Sequence, residues 1–199
     1  HNISFSASPG ETTAIIGSTG SGKSTIVNLI PRFYDISEGE ILVDCVNIRS
    51  MPQKDLRDKI GFVPQRPVLF SGTIAENLRY GNENASDTDL ENAAKIAQAL
   101  DFINEKENGF NEMLTQGGTN LSGGQRQRLS IARALVRRPE IYIFDDSFSA
   151  LDYKTDRLLR RDLKASLTNE TVIIVAQRIN TVMDADRIIV LNEGEMVGM

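Results

Sequence analysis

Tryptophan is absent from this sequence of 199 residues, and histidine and cysteine occur once each. The single cysteine, Cys45, excludes an intrachain disulfide framework and suits a reducing compartment; we expect it to be an ordinary buried residue. No run of 18 or more apolar residues occurs, so the sequence predicts no membrane-spanning helix. The formal net charge of −5 at pH 7 argues against a general nucleic-acid-binding protein.

The residues that are present suffice for one folded domain. Hydrophobic residues make up 40% of the chain and charged residues 25%, a balance that allows a core and argues against disorder. The chain opens in an alternating pattern at Ile3, Phe5 and Ala7, which predicts a half-buried strand, and residues 196–199 stop without a closing element. We therefore expect a single domain, residues 1–199, truncated at both ends from a longer polypeptide.

Short apolar runs alternate with helical patterns along the chain. Runs typical of strands span residues 13–16, 40–44, 60–63, 141–144, 171–175 and 187–191. Helices are predicted at Lys23–Leu29, after a capping box that begins at Ser86, from Ser122 to about Arg137, and ahead of the run at 171–175. Strands separated by helices predict a parallel α/β sheet, with a helical insertion from about residue 73 to 138.

A glycine-rich loop between a predicted strand and a predicted helix carries the strongest motif. Its residues are Gly17, Ser18, Thr19, Gly20, Ser21, Gly22, Lys23 and Ser24. Glycines let successive backbone N–H groups turn toward phosphates, and the positive end of the following helix faces the same place. Lys23 is expected to reach the β and γ phosphates, Ser24 to hold Mg²⁺, and Thr25 to bind near the α phosphate. The loop predicts a site for a nucleoside triphosphate with Mg²⁺.

Two aspartates follow the strand predicted at residues 141–144. Asp145 ends the strand, so its carboxylate is expected at the carboxyl edge of the sheet, where ligands bind in open α/β folds. We predict that Asp145 binds Mg²⁺ through water and that Asp146 points toward the attacking water. A solvated acidic turn is the structural alternative.

The sequence Leu121, Ser122, Gly123, Gly124 and Gln125 then indicates a family. Together with the loop and the aspartates it resembles the signature of the nucleotide-binding domain of an ATP-binding cassette (ABC) transporter, and the resemblance covers essentially the whole chain. It implies a P-loop NTPase (RecA-like) core with an N-terminal antiparallel β subdomain in residues 1–70 and 139–199, and an inserted α-helical signature subdomain in residues 71–138. It also assigns Gln65 to the Q-loop, as a catalytic residue and Mg²⁺ ligand, and Asp152 to the D-loop.

The same resemblance implies ATP and Mg²⁺ as cofactors and a head-to-tail pair of domains. In such a pair each ATP lies between the phosphate loop of one chain and the signature of the other. Ser122 can cap the signature helix, and the N–H groups near Gly123 and Gly124 can face a γ phosphate.

Two segments resemble exporters in particular, residues 69–74 and residues 116–120. In that class the surface around them receives the coupling helices of the transmembrane domains, at the cytoplasmic face of the membrane. Ordinary packing and turn residues are the alternative reading of both segments.

The chain departs from active family members at two positions. Asp146 stands where a glutamate is the usual general base, and Gln177 stands where a histidine usually contacts the γ phosphate. General-base catalysis contributes about 10²–10⁴-fold, and glutamine cannot become cationic, so this site is expected to bind ATP and hydrolyse it slowly. With an intact signature, the chain resembles the degenerate-site half of a heterodimeric multidrug exporter, with a non-identical second nucleotide-binding domain as partner.

Other functions remain compatible with these residues. A homodimeric exporter ATPase would use Asp146 as a working base. A soluble cassette ATPase of DNA maintenance or translation would carry a coiled-coil insertion or a second cassette, which this sequence lacks. A nucleotide sensor that powers no transport is the third alternative, and drugs, lipids and peptides are all open as transported substrates.

Overall fold

The computed structural model describes residues 1–178 and 181–199, which form an α/β fold built on a largely parallel sheet. Within these ranges the strands are β1 (Thr12–Gly17), β2 (Leu42–Val43), β3 (Val46–Asn47), β4 (Ile60–Val63), β5 (Gly72–Thr73), β6 (Met113–Leu114), β7 (Ile141–Asp145), β8 (Thr171–Val175), β9 (Arg187–Asn192) and β10 (Glu195–Gly198). The main sheet has the order β10-β9-β1-β8-β7-β4. Strand β1 is parallel to β8 and β9, β7 is parallel to β8, and β10 is antiparallel to β9. The predicted α/β class is therefore confirmed.

The helices lie between these strands, as the patterns predicted. They are α1 (Lys23–Leu29), α2 (Gln53–Asp58), α3 (Ile74–Arg79), α4 (Asp87–Ile96), α5 (Leu100–Asn104), α6 (Gly123–Arg137) and α7 (Tyr153–Ser166), with short 3₁₀ turns at Ile48–Ser50, Gly109–Asn111 and Gln116–Gly118. The predicted capping box at Ser86 is confirmed, because its side chain accepts from the N–H of Asp89 while Asp89 accepts from the N–H of Ser86.

Two compact units make up the chain. The first comprises His1–Phe62, Pro139–Asp146 and Asn169–Met199, and the second comprises Val63–Arg138 and Ser147–Thr168. The core of the first unit contains buried strand residues such as Ile15, Ile143, Ile173 and Ile189, with Val27 from α1. Burying such side chains stabilises the fold by about 1.5–3 kcal/mol each. The subdomain boundaries expected from the family stay a prediction.

Three local expectations were wrong. Residues 1–8 form no strand, although Ile3 and Phe5 pack partly buried against the core, so their alternation reflects burial without strand pairing. Residues 195–198 form strand β10, where the sequence predicted no element. Cys45 is exposed, because it lies with Asp44 in the two-residue turn between β2 and β3, where both residues have positive φ (63° and 51°).

Candidate functional site

The phosphate loop begins where β1 ends, at Gly17. A Cβ atom placed on Gly17 would lie 2.2 Å from the carbonyl oxygen of Leu191 on β9, so only glycine fits this approach. Gly22 has a φ of 93° and immediately precedes α1, a conformation that glycine adopts without strain. These two glycines produce the predicted tight connection between a buried strand and a helix.

Lys23 is buried within this loop. Its Nζ donates to the carbonyl oxygens of Gly17 at 2.9 Å and Ser18 at 2.6 Å, and lies 3.4 Å from Ser21 Oγ. An ammonium has three protons to donate, and these contacts direct them to oxygens of the loop itself. The positive charge is thus fixed at the centre of the loop, where an anion would be attracted.

Ser24 and Asp145 meet directly, although they are 121 residues apart in sequence. Ser24 Oγ donates to Asp145 Oδ1 at 2.8 Å. The pKa of Asp145 is raised, mainly because its carboxyl is buried and also because the negative charge of Asp146 is near. The hydrogen bond from Ser24 and the positive charge of Lys23 lower the pKa and so reduce this rise. A hydroxyl and a carboxylate oxygen side by side are ligands that Mg²⁺ accepts.

The rest of a magnesium coordination shell would come from elsewhere. Among residues 1–178 and 181–199, no group of three or more His, Cys, Asp or Glu side chains could hold a metal ion. Mg²⁺ commonly takes one or two protein ligands and completes its octahedron with phosphate oxygens and water. Ser24 and Asp145 therefore fit a magnesium ion that arrives with a nucleotide.

Asp146 and Gln177 also meet, at the ends of the neighbouring strands β7 and β8. The Asp146 N–H donates to the carbonyl oxygen of Val175 at 3.0 Å, and Gln177 Nε2 donates to Asp146 Oδ2 at 3.0 Å. Asp146 has a φ of 47°, in the left-handed region that aspartate tolerates better than most residues. The sequence placed each residue at the end of a predicted strand, but it did not predict that the two would bind each other.

The signature residues begin α6, in the second unit. Ser122 caps the helix as predicted: its Oγ accepts from the N–H of Gln125 at 3.2 Å, and Gln125 Oε1 accepts from the N–H of Ser122 at 3.0 Å. The N–H groups of Gly123 and Gly124 precede the intrahelical hydrogen-bonding pattern. A Cβ on Gly124 would lie 3.3 Å from the carbonyl oxygen of Ala150, so the signature turn packs on the loop of residues 149–152.

The contacts of the remaining predicted residues do not indicate a ligand. Thr25 is exposed in the first turn of α1, and Gln65 is exposed just after β4. Asp152 caps α7, where its carboxylate accepts from Thr155 N at 3.0 Å and from Thr155 Oγ1 at 2.6 Å. The side-chain bond from Thr155 holds the pKa of Asp152 below its usual value. Their roles toward nucleotide or metal stay predictions.

The two segments that resemble exporters lie side by side within the second unit. The N–H of Gly117 donates to the carbonyl oxygen of Leu69 at 3.0 Å, and a Cβ on Gly118 would lie 2.8 Å from Leu69 Cδ1. Next to Leu69, Phe70 exposes its ring and packs against Tyr80, with ring centroids 4.7 Å apart. In the described part of the chain, no helix is both long enough and apolar enough to span a bilayer.

Comparison with known protein families identifies the family of this chain. The model of the ABC transporter family matches residues 1–149, which include the phosphate loop, the signature and both aspartates. The chain belongs to the ABC transporter family. Within that family it corresponds to the nucleotide-binding domain.

Relatives extend over almost all of the chain. An uncharacterized ABC transporter ATP-binding protein of Bacillus subtilis is 50% identical over 98% of this chain, and one of Mycobacterium bovis is 48% identical over 99% of it. ABC transporter B family member 21 of Arabidopsis thaliana is 43% identical over 98% of the chain. The chain spans 34% of the length of each of the two bacterial relatives and 15% of the plant protein.

Among solved structures, a bacterial Atm1-family ABC exporter with ATP bound matches with a TM-score of 0.96 and 41% sequence identity. That match covers 100% of this chain and 35% of the exporter chain. The similarity confirms the P-loop NTPase fold and shows that the domain is of the exporter type.

Proposed function

We propose that this chain is the ATP-binding domain that powers export through a membrane ABC transporter, and that its own ATP site hydrolyses slowly. The contact between Ser24 and Asp145, next to the loop that holds Lys23, supports the binding site. The contact between Gln177 and Asp146 supports the slow hydrolysis. Both contacts lie within the first unit.

Binding of ATP would use charges that the fold already holds in place. Lys23 carries its positive charge among the carbonyl oxygens of the loop, and phosphate oxygens would replace some of those weaker acceptors. Ser24 and Asp145 would hold Mg²⁺, which neutralises charge on the transferred phosphate. The buried position of Asp145 makes a cation a better partner for its carboxylate than water.

The hydrolytic weakness follows from how Asp146 is used. A general base must reach the water it activates and must accept its proton. Aspartate is one methylene shorter than glutamate, and Gln177 donates a hydrogen bond to one of its two carboxylate oxygens. That bond occupies one of the carboxylate oxygens that would otherwise accept the proton of the attacking water.

The signature would act on a second domain. The cap by Ser122 fixes the first turn of α6, and this turn would complete the ATP site of a non-identical partner that has a glutamate base and a histidine. The adjoining segments 69–74 and 116–120 would receive coupling helices of transmembrane domains, at the cytoplasmic face of the membrane.

ATP hydrolysis by the full transporter, purified with its second ABC subunit, tests this proposal. Replacing the partner's base glutamate by glutamine is expected to abolish turnover, whereas Asp146→Ala is expected to leave at least about half of it, because Asp146 contributes little of the 10²–10⁴-fold that a base supplies. If Asp146→Ala abolishes turnover as fully as the partner substitution does, the site is not degenerate.

A homodimeric exporter ATPase is the second candidate, since Asp146 is a carboxylate at the position of the base. It predicts robust hydrolysis by this chain alone, rising with the square of its concentration. The strong match to an exporter structure disfavours a soluble ATPase that serves no transporter.

A further inference from the structure

Arg128 contacts the signature turn and an element outside its own helix. It lies on α6 one turn after Gly124, and its Nε donates to the carbonyl oxygen of Gly124 at 3.4 Å. Its Nη1 donates to the carbonyl oxygen of Gln98 at 2.5 Å, and its guanidinium carbon lies 4.7 Å from the centroid of the Phe102 ring. Two backbone acceptors and an aromatic face fix the planar fork in one orientation.

Gln98 extends this connection to α7. Its backbone is left-handed, with a φ of 57°, and its Nε2 donates to Asp162 Oδ2 at 2.7 Å. Asp162 lies on α7, the helix that Asp152 caps. A continuous path of hydrogen bonds therefore leads from the signature turn through Arg128 and Gln98 to α7.

The charge of Arg128 is held in a partly buried place. Burial lowers the pKa of the guanidinium, and the negative charges of Asp152, Asp101 and Glu105 counter this. Arginine stays protonated at any physiological pH, so these carboxylates anchor a permanent cation. One of them, Asp152, belongs to the same loop on which the signature turn packs through Gly124 and Ala150.

We propose that Arg128 is a positioning residue that aims the signature turn at the phosphates of the ATP bound by the partner subunit. This inference rests on the proposed function. Donors that stabilise a transition state act through their exact placement, and a displacement of about 1 Å can cost roughly 100-fold in rate. The Gly124 carbonyl is the atom through which Arg128 fixes that placement.

Arg128→Lys tests the proposal in the full transporter with its partner subunit, because lysine keeps the charge and loses the fork. The expected result is a fall in kcat of roughly 10- to 100-fold. The KM for ATP is expected to stay within about twofold, and the melting temperature of the complex within about 2 °C. Arg57→Lys is the matched control, because Arg57 also donates to two backbone carbonyls, those of Pro31 and Arg32, and lies 5.6 Å from the Phe33 ring. It is expected to leave kcat unchanged.

An Arg128→Lys variant whose kcat equals that of Arg57→Lys would overturn the inference, and so would a loss explained by a raised KM. If Arg128→Lys does not assemble, Phe102→Leu removes the aromatic face while keeping an apolar side chain at this buried position, and it is expected to lower kcat by a smaller factor; an unchanged kcat overturns the inference there too. Failure of the proposed function looks different: turnover would then survive removal of the partner's base glutamate, whatever Arg128 does.

Discussion

Gln177 Nε2 donates a hydrogen bond to Asp146 Oδ2 at 3.0 Å, beyond the ends of the paired strands β7 and β8. The two residues that we expect to set this chain apart from active family members are thus in contact. Contacting residues generally show non-additive effects when they are mutated.

The first prediction is that both positions must change together to restore hydrolysis at this chain's own site. Asp146→Glu combined with Gln177→His is expected to raise turnover by about 10²-fold, and more than the product of the two single variants. The measurement is ATP hydrolysis by a transporter whose second subunit lacks its base, so that only this site reports. Asp146→Asn with Gln177→His is the control, and a double variant no faster than that control would refute the coupling.

The second prediction concerns the metal pair. Ser24→Ala removes a hydroxyl ligand and the hydrogen bond to Asp145, so Mg²⁺ is expected to improve ATP binding about tenfold less than in the parent chain. Ser24→Thr keeps the hydroxyl and serves as the control. Titrations of a fluorescent ATP analogue with Mg²⁺ and with EDTA give the two affinities; equal Mg²⁺ dependence in the Ala and Thr variants would exclude Ser24 as a ligand.

The third prediction separates a steric clash from backbone strain in the phosphate loop. Gly17→Ala places its Cβ 2.2 Å from the Leu191 carbonyl oxygen, and we expect it to lower the free energy of unfolding by about 3 kcal/mol or more. Gly20 has a φ of 82° with open space around a Cβ, so Gly20→Ala is expected to cost only about 1–2 kcal/mol. Urea unfolding of both variants measures the two losses of stability. A larger loss in Gly20→Ala than in Gly17→Ala would contradict the prediction.

The fourth prediction separates capping from catalysis by comparing two equivalent caps. Ser122 and Ser86 each form a capping box, at α6 and α4, and each Ser→Ala change is expected to cost about 1 kcal/mol of stability. Only Ser122→Ala is expected to slow hydrolysis at the partner's site as well. Thermal unfolding and ATP turnover of both variants provide the readouts. Equal turnover in the two would show that the first turn of α6 is structural alone.

The sequence predicted elements where local pattern and burial agree. The helix Lys23–Leu29 and the strands Ile60–Val63 and Thr171–Val175 have the predicted bounds, because glycine, proline and β-branched residues mark their ends. The strand expected at residues 40–44 shrinks to Leu42–Val43, because pairing with Val46–Asn47 across a two-residue turn decides its length. Pairing depends on tertiary contacts, which alternation of apolar residues does not encode.

In the candidate site, the motifs identified Ser24 and Asp145, which the structure brings together, but they did not predict which atoms touch. The bond between Ser24 and Asp145 follows from the edge of a parallel sheet, where such residues converge. Arg128 was missed, because an arginine four residues after Gly124 looks like part of a solvated helix face. The hydrogen bond from Arg128 to the carbonyl oxygen of Gln98 joins residues 30 positions apart, so it depends on tertiary packing that the sequence pattern does not give.

The turn between β2 and β3 has a practical consequence for experiments on assembly. Cys45 is the single thiol of this chain, and it is exposed on a short hairpin whose register is fixed by the pairing of Val43 with Val46. A maleimide-linked spin label or fluorophore would therefore attach at one defined point of this chain. Pulsed electron spin resonance between that label and one placed on a second domain would report the proposed nucleotide-driven pairing as a distance distribution.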